Sequence, residues 1–205
     1  MTADQIIPAL VALAPVLCFL GLLVYLDSYA LVKPRSVLLV VAAGALLSGA
    51  SYFANGALLD ATDMAFRSYS RYVAPFVEEA LKALVIVALI RMRRIGFLVD
   101  AAIFGFAVGT GFALLENLVY LQRLPEAHIA VWIVRGFGTA VMHGGATALF
   151  AVICVAQLDR SGGAVWRAGA AGFGAAVALH AAFNQGWPNA VVAAVLVMAG
   201  VPFLL

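Results

Sequence analysis

Two carboxylates and an ammonium lie within the apolar stretch FVEEALKALVIVALI at positions 76–90. Lys82 follows Glu78 by four residues and Glu79 by three, so on a helix it can neutralise either carboxylate. A charge at the centre of a bilayer costs about 2.5 to 3.5 kcal/mol on insertion scales, and such residues usually face the bundle interior and mark function. The stretch therefore predicts one wall of a buried polar site.

Few other ionisable side chains occur within the remaining apolar stretches, namely Glu116, Arg135, His143 and His180, with Asp100 near one end. Asn184 follows His180 by four residues and shares its helical face. We interpret Arg135 as a side chain that either snorkels to the interface or pairs with a site carboxylate, and Asp100 as an interfacial cap without a chemical role. The joint occurrence of acidic, imidazole and amide groups in so apolar a chain favours a site over isolated core contacts.

Residues of these types can activate water in two ways. A carboxylate can be a general base whose proton affinity is set by burial and by Lys82. Alternatively, two His and one Glu can hold zinc with an open position for water. Both alternatives yield a nucleophile for an amide carbonyl, and an Asn amide or Lys82 could donate to the developing oxyanion. The residues alone leave both open.

Composition indicates how these residues are positioned. Of the 205 residues, 65% are hydrophobic and 11% charged, well outside the range of soluble domains. We predict an all-α, polytopic membrane bundle that forms a single domain over 1–205, with the polar core at about 72–186. About seven transmembrane helices are expected, at Ile6–Leu26, Ser36–Leu59, Tyr72–Ile90, Phe97–Leu121, Ile129–Leu158, Ala168–Gly186 and Trp187–Leu205. The last two are divided by the turn residues NQGWPN. The end of the seventh span coincides with the last residue of the sequence.

Charge predicts the orientation and the partners. Seven Lys and Arg residues fall in the loops after spans one, three and five, against three after spans two and four. This asymmetry predicts an outside N-terminus. The segment DATDMAFRSYSRY should lie along the outer interface. A net charge of +2 without a basic tract argues against a nucleic-acid partner, so the lipid bilayer is the expected surrounding.

Depth places most of the polar residues in one layer. With a rise of about 1.5 Å per residue, Glu78, Glu79, Glu116, His180 and Asn184 fall at a similar depth in the outer half. His143 falls nearer the middle, unless its helix begins later or tilts. A proton-coupled transporter would spread polar residues across the whole membrane, so this layer disfavours that alternative.

The ordered set EEALK (78–82), FALLEN (112–117), an isolated His143 and HAAFN (180–184) resembles the PrsW family of intramembrane proteases. That family is recognised by EExxK, FxxxEN, a lone His and HxxxN in successive membrane helices. The related CAAX prenyl-protease and bacteriocin-immunity group has EExxxR, FxxxH and HxxxN. Here Lys82 stands one position before that Arg, and Glu116 stands where that group has His. Both departures favour PrsW.

The resemblance implies a multi-pass intramembrane endopeptidase of a bacterial-type cytoplasmic (inner) membrane. It would cleave a single-span, membrane-anchored protein near the outer face, such as an anti-sigma factor. Glu78 would activate water and Glu79 would be a second base or orient the first. His143, His180 and Glu116 would bind water, or zinc in a zinc enzyme; otherwise no cofactor is expected. Asn184 would be an oxyanion donor, with Lys82, Asn117 and Arg135 in support. A non-catalytic binding or immunity protein of the same fold is the other alternative.

Overall fold

The computed structural model describes residues 6–27, 32–158, 160, 162–186 and 189–204, with side chains up to residue 200. Within these residues the chain is helical, without strands, which confirms the predicted all-α fold. The helices are α1 (Ile6–Leu26), α2 (Pro34–Asp60), α3 (Phe66–Tyr72), α4 (Ala74–Arg91), α5 (Leu98–Arg123), α6 (Ile129–Ile133), α7 (Ala140–Gln157), α8 (Val165–Asn184) and α9 (Ala190–Leu204). A π-helical segment, Val134–Thr139, joins α6 to α7.

Four of the helical stretches are long and apolar enough to cross a membrane: α1, α2, α5 and Ile129–Gln157. Helix α4 is 18 residues long and also contains Glu78, Glu79, Lys82 and Arg91, which lower its apolar character. Glu79 and Lys82 are among its buried residues, so these two charges face the bundle and not the lipid. The pattern is that of a membrane helix bundle built around a polar interior.

The predicted seventh span is only partly matched. Helix α9 has 15 residues, about 22 Å at the helical rise, against roughly 30 Å of hydrocarbon. Helix α8 ends at Asn184 and Gly186 has a φ of +64°, as expected for the predicted turn. Trp187, Pro188 and Leu205, which belonged to the predicted span, lie outside the described residues.

Helix α5 lies at the centre of the bundle because its small residues admit neighbouring backbones. A Cβ on Gly109 would overlap the backbone of His143 and Gly144 in α7, and one on Gly105 would overlap Ala148. Close approach through small residues is the usual means of packing membrane helices. It brings the α5 backbone directly against the turn of α7 that carries His143.

We expect Gly109→Ala to destabilise the bundle by about 1 to 3 kcal/mol, because α5 and α7 must separate to admit the methyl group. Gly174→Ala is the matched control, since nothing lies within 4 Å of a Cβ at that helical position. There the intrinsic preference of a helix for Ala should leave stability unchanged or raised by up to about 1 kcal/mol. Thermal unfolding of the two variants in detergent compares them; equal midpoints would contradict the packing described for Gly109.

The fifth span departs from the prediction of one regular helix. The π-helical segment Val134–Thr139 precedes α7 and widens the helical turn. In a regular α-helix, Arg135 and His143 would point about 80° apart, since eight residues exceed two turns of 3.6. Instead, both side chains contact the same oxygen, Oε2 of Glu116. The π-helical turns therefore bring His143 and Arg135 to one carboxylate, and His143 joins the predicted polar layer.

Candidate active site

Lys82 is the buried centre of the polar cluster. Its side chain has no exposed surface, and its Nζ lies 2.5 Å from Glu79 Oε1 and 3.0 Å from His143 Nδ1. The ring of Phe112 lies below it, with the centroid 4.7 Å from Nζ. Lys82 thus links α4 to α7 and compensates the buried charge of Glu79, as its three-residue spacing predicts.

The two histidines have defined tautomers. The Lys82 ammonium can only donate, so Nδ1 of His143 accepts and Nε2–H donates to Glu116 Oε2 over 3.1 Å. His180 Nδ1 lies 2.8 Å from Glu79 Oε1 and donates to it, which leaves the lone pair of Nε2 free. The imidazole rings of His143 and His180 are 4.8 Å apart. A carboxylate behind a histidine is the usual way of fixing its orientation for catalysis or metal binding.

The three carboxylates are compensated differently. Glu79 is paired with Lys82, and Glu116 with Arg135, whose Nη2 lies 3.1 Å from Glu116 Oε2. Glu78 has no Lys or Arg within ion-pair distance among the described residues. Its carboxylate accepts a hydrogen bond from the Asn55 amide at 3.3 Å, and its Oε2 lies 3.9 Å from His180 Nε2. Glu78 is therefore the carboxylate whose charge is least compensated by a neighbouring cation.

Exposure distinguishes the carboxylates in the same way. The side chain of Glu79 is 2% exposed, whereas Glu78 is 14% and Glu116 is 25% exposed. Glu78 and Glu116 are accessible to water or to an entering substrate, while Glu79 is enclosed behind His180. Among the three carboxylates, Glu78 and Glu116 are thus the two that a small molecule could reach.

Sequence comparison bears on this site directly. The family model described as PrsW family intramembrane metalloprotease matches residues 33–205. The chain belongs to the PrsW family. It is accordingly an integral membrane protein and a peptidase that acts within the membrane. No curated protein and no solved structure matched the chain.

A metalloprotease requires side chains that bind its metal ion, and the site of this PrsW-family chain contains three suitable side chains. Glu78, His143 and His180 each offer one ligand atom, and these three atoms lie within 4.8 Å of one another. Imidazole and carboxylate groups are zinc ligands. Glu79 already orients the ring of His180 by accepting its Nδ1–H, as carboxylates behind metal-binding histidines do. The residues therefore fit a zinc ion. This set shares both histidines with the predicted one, and contains Glu78 where the prediction has Glu116.

Asn117 and Arg135 form a support for Glu116 in this PrsW-family chain. Arg135 Nε donates to Asn117 Oδ1 over 2.9 Å, and the Asn117 amide donates to the Ala12 carbonyl over 2.8 Å. The guanidinium also stacks on Tyr120, 3.7 Å from the ring centroid. The ion pair between Arg135 and Glu116 confirms that Arg135 pairs with a site carboxylate. Asn117 has a structural role, since its amide connects α5 to α1.

Two further predicted residues lie at the edges. The Asn184 amide donates to the Ser70 carbonyl of α3 over 2.8 Å, so Asn184 joins α8 to α3 in this state. Its role as an oxyanion donor stays a prediction, and would require the amide to exchange Ser70 for the substrate. Asp100 Oδ2 accepts from the Gly96 and Phe97 amides at 3.1 and 3.2 Å, which confirms it as a cap.

Sequence reasoning missed three polar residues beside Glu78. Asn55 of α2 contacts Glu78 and also Ser51, one turn earlier, and Tyr69 of α3 contacts Asn55. None of these three side chains is charged at neutral pH, so the pattern of intramembrane charges that marks the other site residues does not include them. The i, i+4 spacing of Ser51 and Asn55 in a predicted span was the available signal.

Proposed function

We propose that this PrsW-family peptidase is a multi-pass protein of a bacterial cytoplasmic membrane. It would hydrolyse a peptide bond of a single-span, membrane-anchored protein near the outer face, with an anti-sigma factor as the expected kind of substrate. The observation that carries the proposal is the position of Glu78 beside the free Nε2 of His180, without a Lys or Arg partner in the described part of the chain. That pair can receive a water molecule and remove its proton.

The surrounding residues would hold this pair ready. Glu79 keeps the Nδ1–H of His180 engaged, so that Nε2 always faces the reactants. Lys82 balances Glu79, which lets a second carboxylate lie beside Glu78 without a second uncompensated charge. Glu116 is held by Arg135 and accepts from His143, and fixes the ring of His143 against that of His180. Preorganisation of this kind limits the movement needed during reaction.

A metal would add to these groups. Glu78, His143 and His180 would hold it, and His143 would exchange its contact with Glu116 for the ion. When bound, zinc supplies a Lewis acid that lowers the pKa of water and polarises a carbonyl. The chain itself contributes the orientation of His180 through Glu79 and the partial burial of the reacting carboxylate.

Substrate access at the outer face is supported by helix α3. Two residues of α3, Tyr69 and Ser70, contact Asn55 and Asn184, so the cluster lies just beneath this short helix. Loop charges predict α3 at the outer interface. A single-span substrate would reach Glu78 and Glu116 from that end, where both are partly exposed. Cleavage would then fall near the outer end of the substrate helix.

Co-expression with epitope-tagged single-span membrane proteins, anti-sigma factors among them, tests the proposal. The wild-type chain should release a shortened fragment of one of them, and His180→Ala should not. His128→Ala is a matched control, because His128 lies at an exposed loop end and caps α6. Release of the same fragment by His180→Ala would overturn the proposed site.

We expect the purified protein to bind about one zinc ion per chain and to lose cleavage in 1,10-phenanthroline, with recovery on adding zinc. Glu79→Gln should weaken zinc binding by about 10- to 100-fold, since loss of the carboxylate that accepts a hydrogen bond from a histidine ligand has effects of that size. Competition with a chromogenic zinc indicator measures the affinity. Full activity in a metal-free preparation would instead favour direct activation of water by Glu78.

A further inference from the structure

A chain of neutral hydrogen-bonding groups leads from α3 to Glu78. The Asn55 amide nitrogen lies 3.3 Å from Glu78 Oε1 and 3.0 Å from Ser51 Oγ, and the Tyr69 hydroxyl lies 2.9 Å from Asn55 Oδ1. A carboxylate only accepts, so the amide nitrogen must face Glu78. The carbonyl oxygen of Asn55 then faces Tyr69, and the phenol must donate. The Tyr69 hydroxyl and one Asn55 N–H therefore point towards Glu78, while the second Asn55 N–H donates to Ser51.

Tyr69 is fixed in this role by its surroundings. It is the buried residue of α3, with 2% of its surface exposed. Burial, and then the nearby charge of Glu78, raise the pKa of the Tyr69 phenol above its usual value, so that it stays a donor. The next residue, Ser70, accepts from Asn184 of α8. Helix α3 is thus attached to the two helices, α2 and α8, that flank Glu78.

We propose that Asn55 and Tyr69 are positioning residues for Glu78. Asn55 holds Oε1, and this leaves Oε2 directed towards His180 Nε2, 3.9 Å away, where water or a metal would bind. The two oxygens of Glu78 thereby have different tasks. This inference rests on the proposed function, which makes Glu78 the reacting carboxylate.

The chemistry of the donors explains why an amide occupies this place. Lys82 and Arg135 position Glu79 and Glu116 by ion pairs, which also cancel much of their charge. An amide orients a carboxylate by a hydrogen bond and adds no positive charge beside it. A reacting carboxylate needs its negative charge to take a proton or to bind a cation. Asn55 and Tyr69 supply orientation without neutralisation.

Asn55→Ala and Tyr69→Phe test the positioning role in the full-length protein. The readouts are the affinity for zinc alone and the separate kcat and KM values for the tagged protein that the wild type cleaves. We expect Asn55→Ala to lower zinc affinity and kcat by about 10- to 100-fold with KM nearly unchanged. Tyr69→Phe, which removes one hydrogen bond, should lower zinc affinity and kcat by about 2- to 10-fold.

Two control variants separate positioning from damage to the fold. Tyr72→Phe removes an exposed phenol from the same short helix, and Ser48→Ala changes a buried serine of α2 two turns before Asn55. Both should match the wild type. If Asn55→Ala fails to fold, Tyr69→Phe decides alone, because it removes a single oxygen. An equal loss in Tyr72→Phe would overturn the inference.

Failure of the inference and failure of the proposed function have different signatures. If Glu78→Gln is impaired while Asn55→Ala and Tyr69→Phe match the wild type in zinc affinity and kcat, the positioning role is wrong and the reacting role of Glu78 stands. If Glu78→Gln itself matches the wild type, the proposed function is wrong, and the positioning role falls with it. If the wild type cleaves without binding zinc, the change of kcat at constant KM decides alone.

Discussion

Glu78→Gln is expected to lower kcat for a cleaved membrane substrate by about 10² to 10⁴-fold, the usual contribution of a group that transfers a proton in the transition state. The glutamine keeps the shape of the side chain and can still face the Asn55 amide. It removes the negative charge beside His180 Nε2. Binding of the substrate should be little affected, so the loss should appear in kcat. Single-turnover cleavage in detergent or proteoliposomes measures it.

The neighbouring carboxylate provides the informative comparison. Glu79→Gln keeps an acceptor for the Nδ1–H of His180, so its effect on kcat should be smaller, about 10- to 100-fold. Glu126→Gln, in an exposed loop, is the matched control and should be neutral. A larger loss in Glu79→Gln than in Glu78→Gln would reverse the assignment and make Glu79 the reacting residue.

The sequence predicts most of the fold because hydropathy and length determine membrane helices almost alone. Predicted spans such as Phe97–Leu121 differ from the observed α5 (Leu98–Arg123) by one or two residues at each end. The π-helical segment Val134–Thr139 escaped prediction, because no local sequence pattern distinguishes it from α-helix. It includes Gly136, which packs against the Val11 backbone of α1, a contact between helices distant in sequence. The position of His143 beside Lys82 and Glu116 likewise could not be read from depth along a regular helix.

The sequence identifies most of the residues of the site, but few of the contacts between them. Intramembrane charges are rare, so Glu78, Glu79, Lys82, Glu116, His143 and His180 could be named from their positions, and the structure connects all six. Which carboxylate each cation contacts could not be foreseen, since Lys82 is within helical reach of both Glu78 and Glu79. The contact of Lys82 with His143 and of Asn184 with Ser70 also depends on how separate helices pack.

Lys82→Met should be the most destabilising single substitution in the cluster, by about 3 to 5 kcal/mol, because it leaves the buried Glu79 carboxylate without its cation. Glu79 is 2% exposed, so water cannot replace the ammonium. Methionine has a similar length and suits contact with Phe112, so the loss reflects charge more than volume. Unfolding in detergent, followed by intrinsic fluorescence, measures the difference. Lys33→Met, at an exposed position before α2, is the matched control.

The double variant Glu79→Gln/Lys82→Met separates charge compensation from every other role of Lys82. With both charges removed, no buried ion is left unpaired, and most of the lost stability should return. A double variant as unstable as Lys82→Met alone would mean that Lys82 acts chiefly through His143 or packing. Catalysis should not recover with stability, because Nδ1 of His143 has lost the donor that fixed its tautomer. A double variant that is stable but clearly less active than Glu79→Gln alone would show that Lys82 both balances Glu79 and orients His143, so that the same buried ammonium stabilises the fold and prepares the site.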